Sequence, residues 1–411
     1  MNDINTISKN KIVMGNFLSE RINNLAESET LAMSNLSREL KAKGHDVINL
    51  SLGEPDFNTP DKIKEAAKKA IDDNYTFYTP VSGYLDLRQA ICDKLRKENN
   101  LTYEPSQIVV SNGAKQSIAN AVLSLVNPGQ EVIVPAPYWV SYKEIIKLAE
   151  AKAVYISAKI ENDFKVTPQQ IEEVITPNTK LIIFSSPCNP TGSAYNKLEL
   201  MAIAEMLESH PHVFVISDEV YEHINFVGPH ESLAQFENIK DRVITINGVS
   251  KGYAMTGWRI GYMAANKELA KACDKLQGQI TSAPSSIAQR AALQALKTDK
   301  SELKYMLDSF RKRRDLVLDL LNEIPNIKTN IPQGAFYIFF DVSSYYGKSD
   351  GTITVKDGPE LCNYILNKVY VALVPGSAFG DDNCIRFSYA TSEDLLIEAV
   401  KRIKAALGCL K

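Results

Sequence analysis

Two rhythms of apolar and polar residues run along the chain. Near the front, residues 28–43 (SETLAMSNLSRELKAK) carry apolar positions at helical spacing, and Gly44 predicts where that helix stops. Residues 60–72 and 85–99 predict two more amphipathic helices, the first capped by Thr59 and the second following the Gly83 turn. A short apolar strand at 47–52 runs into G-E-P-D-F, where Gly53 and Pro55 predict a turn. From residue 108 the rhythm changes. Apolar runs at 108–110, 131–134, 153–156, 180–184, 213–216, 243–246 and 260–264 alternate with helical stretches. Continuous apolar runs separated by helices predict an α/β arrangement, a mostly parallel sheet covered on both faces.

Residues 266–321 read as helical and charge-rich, and the R-K-R-R run from Arg311 to Arg314 reads as a solvated helix face rather than a polyanion site. Beyond it, G-A-F-Y-I-F-F-D-V, 371–374 and 385–388 predict short strands among helices, hence a separate, smaller α+β domain. Residues 343–358, rich in Gly, Ser and Asp, form either a cover for a site or a surface insertion.

Length supports the division, because 411 residues exceed one comfortable core. A net charge of -3 with both signs interspersed gives no basic patch for nucleic acid or a membrane surface. The six cysteines are scattered without a C-x-x-C pair, which argues against a zinc site and a disulfide framework and predicts a reducing cytoplasm. His210 and His212 flank a proline in an expected loop, and the histidines show no metal spacing. No apolar run reaches the ~18 residues of a membrane span. Residues 1–13 resemble neither a secretory signal nor a transit peptide; they are a disordered tail, or translation starts at Met14.

In doubly covered sheets, ligands bind beyond the carboxyl ends of the strands. After 108–110 comes S-N-G-A-K, whose small residues lead into a helix N-terminus as in a phosphate cradle. After 180–184, Pro187 and Pro190 stiffen the loop that aims Asn189, or simply make a rigid turn. After 213–216, Asp218 and Glu219 point to opposite faces, so either one serves a ligand while the other caps a loop, or the pair is simply a structural cap. After 243–246, Lys251 sits among small residues, where it is either a structural or exposed lysine or one whose lost solvation lowers its pKa toward a nucleophile's. Ser250 and Arg259 beside it suit a phosphate next to a covalently held aldehyde.

Taken in order, Lys115, Trp139 (in P-A-P-Y-W), Asn189, Asp218, Tyr221, S-K-G-Y-A-M-T-G-W-R-I-G from Ser250 to Gly261, and Arg386 in C-I-R-F-S resemble the class I/II, fold-type I aminotransferases that depend on pyridoxal 5'-phosphate. G-E-P-D-F and Y-T-P-V-S-G add to the likeness, which covers nearly everything after about residue 18 and is greatest for the bacterial aspartate aminotransferases with lysine in the S-N-G-A-K position.

The resemblance implies a large cofactor domain at 60–300 and a small domain from 301–411 plus part of an arm at 18–59, after a 1–17 tail. It implies that Lys251 binds the cofactor and later moves the proton at the substrate carbon. Asp218 would pair with the ring nitrogen, Tyr221 and Asn189 with the phenolic oxygen, and Trp139 would stack on the ring. Gly113, Ala114, Ser250 and Arg259 would hold the phosphate, joined by Tyr78 of a neighbouring subunit in a homodimer. Arg386 would clamp the substrate α-carboxylate with help from Asn189 and Gly53. Lys115, at the cofactor's edge, would meet the second carboxylate of aspartate or glutamate. The expected activity is transfer of the amino group from L-aspartate to 2-oxoglutarate. Prephenate or aromatic 2-oxo acids are the alternative acceptors, and a lyase on the same scaffold is the alternative chemistry. A fold-borrowing transcription factor would need a DNA-binding module that the sequence leaves no room for.

Overall fold

The computed structural model describes residues 17–411; the question of Met1 against Met14 lies outside them. The first strand, β1 (Ile48–Asn49), is far shorter than the predicted run. The Asn49 side chain folds back to accept from the Ser51 amide at 3.0 Å and its hydroxyl at 2.7 Å, which turns the backbone away.

Seven strands form the main sheet: β2 (Ile108–Ser111), β3 (Glu131–Ala136), β4 (Lys152–Ser157), β5 (Thr179–Ser185), β6 (Phe214–Asp218), β7 (Val243–Gly248) and β8 (Gly261–Ala264). Their order is β2-β8-β7-β6-β5-β3-β4. The pairs from β7 to β4 are parallel, and β8 runs antiparallel to both neighbours. The reason is local. Residues 249–260, which join β7 to β8, contain no crossover helix, so the chain can only return beside the strand it has left. That return loop carries Lys251. Every residue of β7 is buried, as expected for a strand covered on both faces. Each isoleucine there, Ile244 and Ile246, contributes about 1.5–3 kcal/mol by leaving water.

The small domain holds an antiparallel sheet made by β9 (Lys328–Thr329), β10 (Tyr337–Asp341), β12 (Val374–Pro375) and β13 (Cys384–Ser388). A short β11 (Val371–Ala372) pairs in parallel with β1. Through this pairing the front of the chain joins the back. Met33, Val47, Ile48 and Leu50 share one apolar cluster with Phe336, Phe340 and Ile385. The fold is therefore α/β of fold type I, a large domain on a mostly parallel sheet with a smaller α+β domain.

Two expectations need correction. Thr59 caps nothing: the helix Asp61–Asp72 starts from Pro60, and the Thr59 hydroxyl donates to the Ala254 carbonyl at 2.6 Å and accepts from the Trp258 indole at 3.0 Å. A tertiary partner has taken the hydroxyl from the local one. The R-K-R-R run is not a solvated face throughout. Arg313 is buried and donates to Asp56 at 2.7 Å, and Arg314 donates to the Pro332 carbonyl at 3.0 Å, so both arginines tie the helix Lys304–Asn322 to its neighbours. The 343–358 segment is fastened elsewhere than the strand ends. Ser349 exchanges two backbone bonds with Lys411, and Asp350 pairs with Lys368. All six cysteines are free. Among the described residues no helix is long and apolar enough to cross a membrane.

Candidate active site

The carboxyl ends of β2, β5, β6 and β7 meet the loop 249–260 around a cavity of about 400 Å³. Lys251 enters it from the return loop, and its Nζ donates to the Gly53 carbonyl at 2.5 Å. Burial lowers its pKa to about 8; Glu54 and Asp218 pull the other way, and Arg259 and Arg386 add to the lowering. The amine is thus closer to neutral than any solvated lysine, which is what a nucleophile or proton carrier requires.

Asp218 ends β6 and faces the same cavity. Burial pushes its carboxyl up to about 6, against bonds donated by the Tyr142 hydroxyl at 2.7 Å and the Val220 amide at 3.3 Å. Glu219 faces away, as the alternation of a strand requires. It accepts from the Ser217 and Ser232 hydroxyls at 2.9 and 2.7 Å, and His230 lies 3.0 Å away.

Across the cavity, Arg386 projects from β13 and is only 2% exposed. Its Nη1 donates to Asn189 Oδ1 at 2.9 Å and its Nη2 to the Ser51 carbonyl at 2.6 Å. Its Nε is buried without a partner among the described residues. An orphaned guanidinium donor in a cavity is costly unless an anion arrives to accept it.

The fourth wall is the start of the helix Ala114–Leu125, whose first N–H groups have no carbonyl one turn earlier. Gly113 precedes it with φ of 85°, and a side chain there would run into the Arg259 guanidinium. The Gly113 amide itself donates to the Ser111 carbonyl at 2.7 Å. Arg259 holds its place by donating to the carbonyls of Thr256 and Asn112 at 3.0 and 3.3 Å. Lys115 lies 5.1 Å from the Trp139 ring centre, and burial, then Arg259, lower its pKa.

The cavity thus collects Gly53, Ala114, Lys115, Trp139, Asn189, Asp218, Tyr221, Ser250, Lys251, Arg259 and Arg386. Tyr78 stands apart and is 98% exposed. This convergence has a counterpart in known proteins. The family description "Aminotransferase class I and II" matches residues 45–403. The chain belongs to this family. Class I and II aminotransferases work with pyridoxal 5'-phosphate, and the chain is accordingly a transaminase that depends on it. A bifunctional aspartate aminotransferase and glutamate/aspartate-prephenate aminotransferase of Petunia hybrida is 48% identical over 98% of this chain and 85% of its own length. An aspartate/prephenate aminotransferase of Cereibacter sphaeroides is 48% identical over 95% of this chain and 98% of its own. The crystal structure of the aspartate aminotransferase from Rhizobium meliloti superposes with a TM-score of 0.93 at 42% identity, covering 97% and 100% of the two chains.

For an aminotransferase the wall chemistry is suitable. A phosphate suits the helix start with Ser250 and Arg259; a pyridinium nitrogen suits a buried carboxylate; an aldehyde suits a buried amine of lowered pKa. Sequence reasoning missed several cavity residues: Thr30 and Leu31 from the front helix, Tyr142, Thr256 and Tyr337. For Tyr142 a signal existed, since it follows Trp139 by three residues, across the turn that opens the helix Ser141–Leu148. For Tyr337 the signal was a lone hydroxyl within the apolar run F-Y-I-F-F, but its target could be known only after β10 was paired with β13.

Proposed function

We propose that this transaminase takes its amino group from L-aspartate and passes it to 2-oxoglutarate, giving oxaloacetate and L-glutamate by ping-pong turnover. The observation that carries the reading is the opposition, within one cavity, of a buried amine of lowered pKa and a buried guanidinium with an unpaired donor. When bound, pyridoxal phosphate supplies the electron sink that makes a proton on the substrate α-carbon removable.

The protein's residues do the rest. Lys251 would hold the cofactor through its aldehyde and would carry the substrate α-proton. Asp218 keeps the ring nitrogen protonated, and Tyr142 directs that carboxylate toward it. Tyr221 and Asn189 bond the phenolic oxygen, and Trp139 covers a ring face. The amides at the start of the helix Ala114–Leu125, Ser250 and Arg259 hold the phosphate, with Tyr78 of a second copy completing it in a homodimer. The exposure of Tyr78 in the single chain supports that last role. Arg386 and Asn189 take the α-carboxylate, and the Lys115 ammonium takes the side-chain carboxylate of aspartate. The absence of a membrane-spanning helix among the described residues is compatible with a cytoplasmic enzyme.

Prephenate is the second acceptor to test, because two of the similar proteins are named for it. The experiment is an absorbance spectrum of the holoenzyme. L-Aspartate alone should bleach the visible band of the lysine-bound cofactor, and 2-oxoglutarate should restore it. A band that ignores aspartate but responds to another amino acid refutes the substrate, and prephenate that fails to restore the band removes the second acceptor.

A further inference from the structure

The roles above leave one polar contact in the cavity unused. The Tyr337 hydroxyl lies 2.8 Å from that of Tyr221, and both side chains are buried. Tyr337 opens β10. Two residues further on, Phe339 is the direct cross-strand partner of Arg386, so Tyr337, Phe339 and Arg386 share one face of the sheet. The Arg386 guanidinium rests 4.5 Å from the Tyr337 ring centre and 4.9 Å from that of Phe379. Space is tight on the hydroxyl's other side, where a β-carbon at Gly53 would come within 2.6 Å of the Tyr337 oxygen.

We infer that Tyr337 is a positioning residue with two separable parts: its hydroxyl fixes the direction of the Tyr221 proton, and its ring seats the Arg386 guanidinium. The inference rests on the proposed role of Tyr221 as donor to the cofactor's phenolic oxygen. A phenol has a single hydrogen to donate. Once Tyr221 has given its hydrogen to the cofactor, the 2.8 Å contact is a hydrogen bond only if Tyr337 donates. That donation polarises Tyr221 and strengthens its bond to the anionic oxygen. Burial first, then the phenols' mutual proximity, hold the Tyr221 hydroxyl far above its ordinary range, and burial raises that of Tyr337, so the two phenols stay protonated and act as donors. The same ring reaches the substrate side. One side chain therefore braces both the tuning of the cofactor and the clamp for the α-carboxylate.

The test uses holoenzyme carrying Tyr337→Phe, Tyr337→Leu, Tyr221→Phe, and Tyr221→Phe combined with Tyr337→Phe. Each is titrated with pH while the visible band is followed, and assayed with L-aspartate. A weaker bond to the phenolic oxygen favours the protonated, yellow form, so Tyr337→Phe should raise the pH midpoint by about half a unit. It keeps the ring, and KM for aspartate should stay within about twofold. Tyr337→Leu loses the ring as well and should raise KM by about fivefold or more. In the Tyr221→Phe background the second substitution should add no shift. A midpoint that moves with Tyr221→Phe but not with Tyr337→Phe overturns the inference alone. Equal shifts from Tyr337→Phe in both backgrounds overturn it too, since the effect would then bypass Tyr221. A Tyr221→Phe enzyme with an unmoved midpoint overturns the Tyr221 role and the inference with it.

Discussion

In the cofactor-free protein, Lys251 should cost stability. Its pKa falls from 10.5 to about 8 because burial takes its ammonium out of water. At about 1.4 kcal/mol per unit, holding that charge at neutral pH costs about 3 kcal/mol. The side chain keeps partial access through the cavity mouth, which trims the cost to about 2 kcal/mol. Methionine has similar length, no charge and a flexible stem. Lys251→Met forfeits the bond to the Gly53 carbonyl, worth about 1 kcal/mol, and leaves a net gain of about 1 kcal/mol. For a chain of 411 residues the cofactor-free variant should therefore melt about 1 °C above the wild type near pH 7. The pH dependence fixes the cause. A lysine whose pKa is lowered by folding binds more protons when unfolded, between about 8 and 10.5, so native stability rises with pH across that window. The advantage of methionine is complete below about pH 8 and gone above about 10.5. Paired melts by differential scanning fluorimetry, near pH 7 and near pH 10, measure both. A variant that melts below the wild type near pH 7, or an advantage unchanged near pH 10, refutes the assignment of a desolvated charge to Lys251.

Arg386→Lys keeps the charge and loses the fork; with one or two charged hydrogen bonds gone at about 1.5–3 kcal/mol each, kcat/KM for L-aspartate should fall about 100-fold, and steady-state kinetics check it. Lys115→Ala should lower kcat/KM for aspartate by about tenfold while turnover of a neutral amino acid holds, a ratio read from parallel single-turnover spectra. Lys94→Met strands the buried Glu222 carboxylate that Lys94 pairs with, and urea denaturation should show a loss of about 3–5 kcal/mol. Burial works to raise the Glu222 pKa, but Lys94 and the two neighbouring histidines outweigh it and hold the carboxyl far below its usual range. The stability it contributes is therefore present above the ordinary carboxylate pKa and fades as acid is added. In the Lys94→Met protein that acid-dependent loss should shrink, which stability measurements from near pH 6 down to near pH 3 would follow.

The strand ends were legible in the sequence because parallel strands announce themselves as unbroken apolar runs, and the residues just past them stand out against that background. Asp218, Asn189 and Lys251 stood out as candidates in this way, the likeness to a family gave them roles, and the opposed directions of Asp218 and Glu219 followed from the pleat alone. Arg386 was different: nothing in C-I-R-F-S distinguishes a clamp from an ordinary half-buried strand, and only the likeness to a family singled it out. Thr59 and Arg313 were misread for a shared reason. Local rules assign a threonine before a helix to capping and an arginine in a charge run to solvent, whereas each is spent here on a partner far away in sequence, Ala254 and Asp56. Long-range partners leave no local trace.

The same limit hid what stands behind Lys251. Glu219 and Glu222 follow Asp218 within four residues, yet they belong to a buried network with Lys94, Asn99, His223 and His230 on the far side of the Lys251 loop. His223 is held against Glu98 at 3.2 Å, and its ring stands 5.3 Å from that of Tyr253. A side chain at Gly252 would come within 2.8 Å of the His223 β-carbon, so the backbone directly after Lys251 presses on a residue that is itself pinned. In its proposed role Lys251 would move a proton between two fixed atoms, which needs a backbone that cannot retreat. The network thus packs against the Lys251 loop from outside the cavity, and of the three carboxylates at or just past this strand end only Asp218 lines the site.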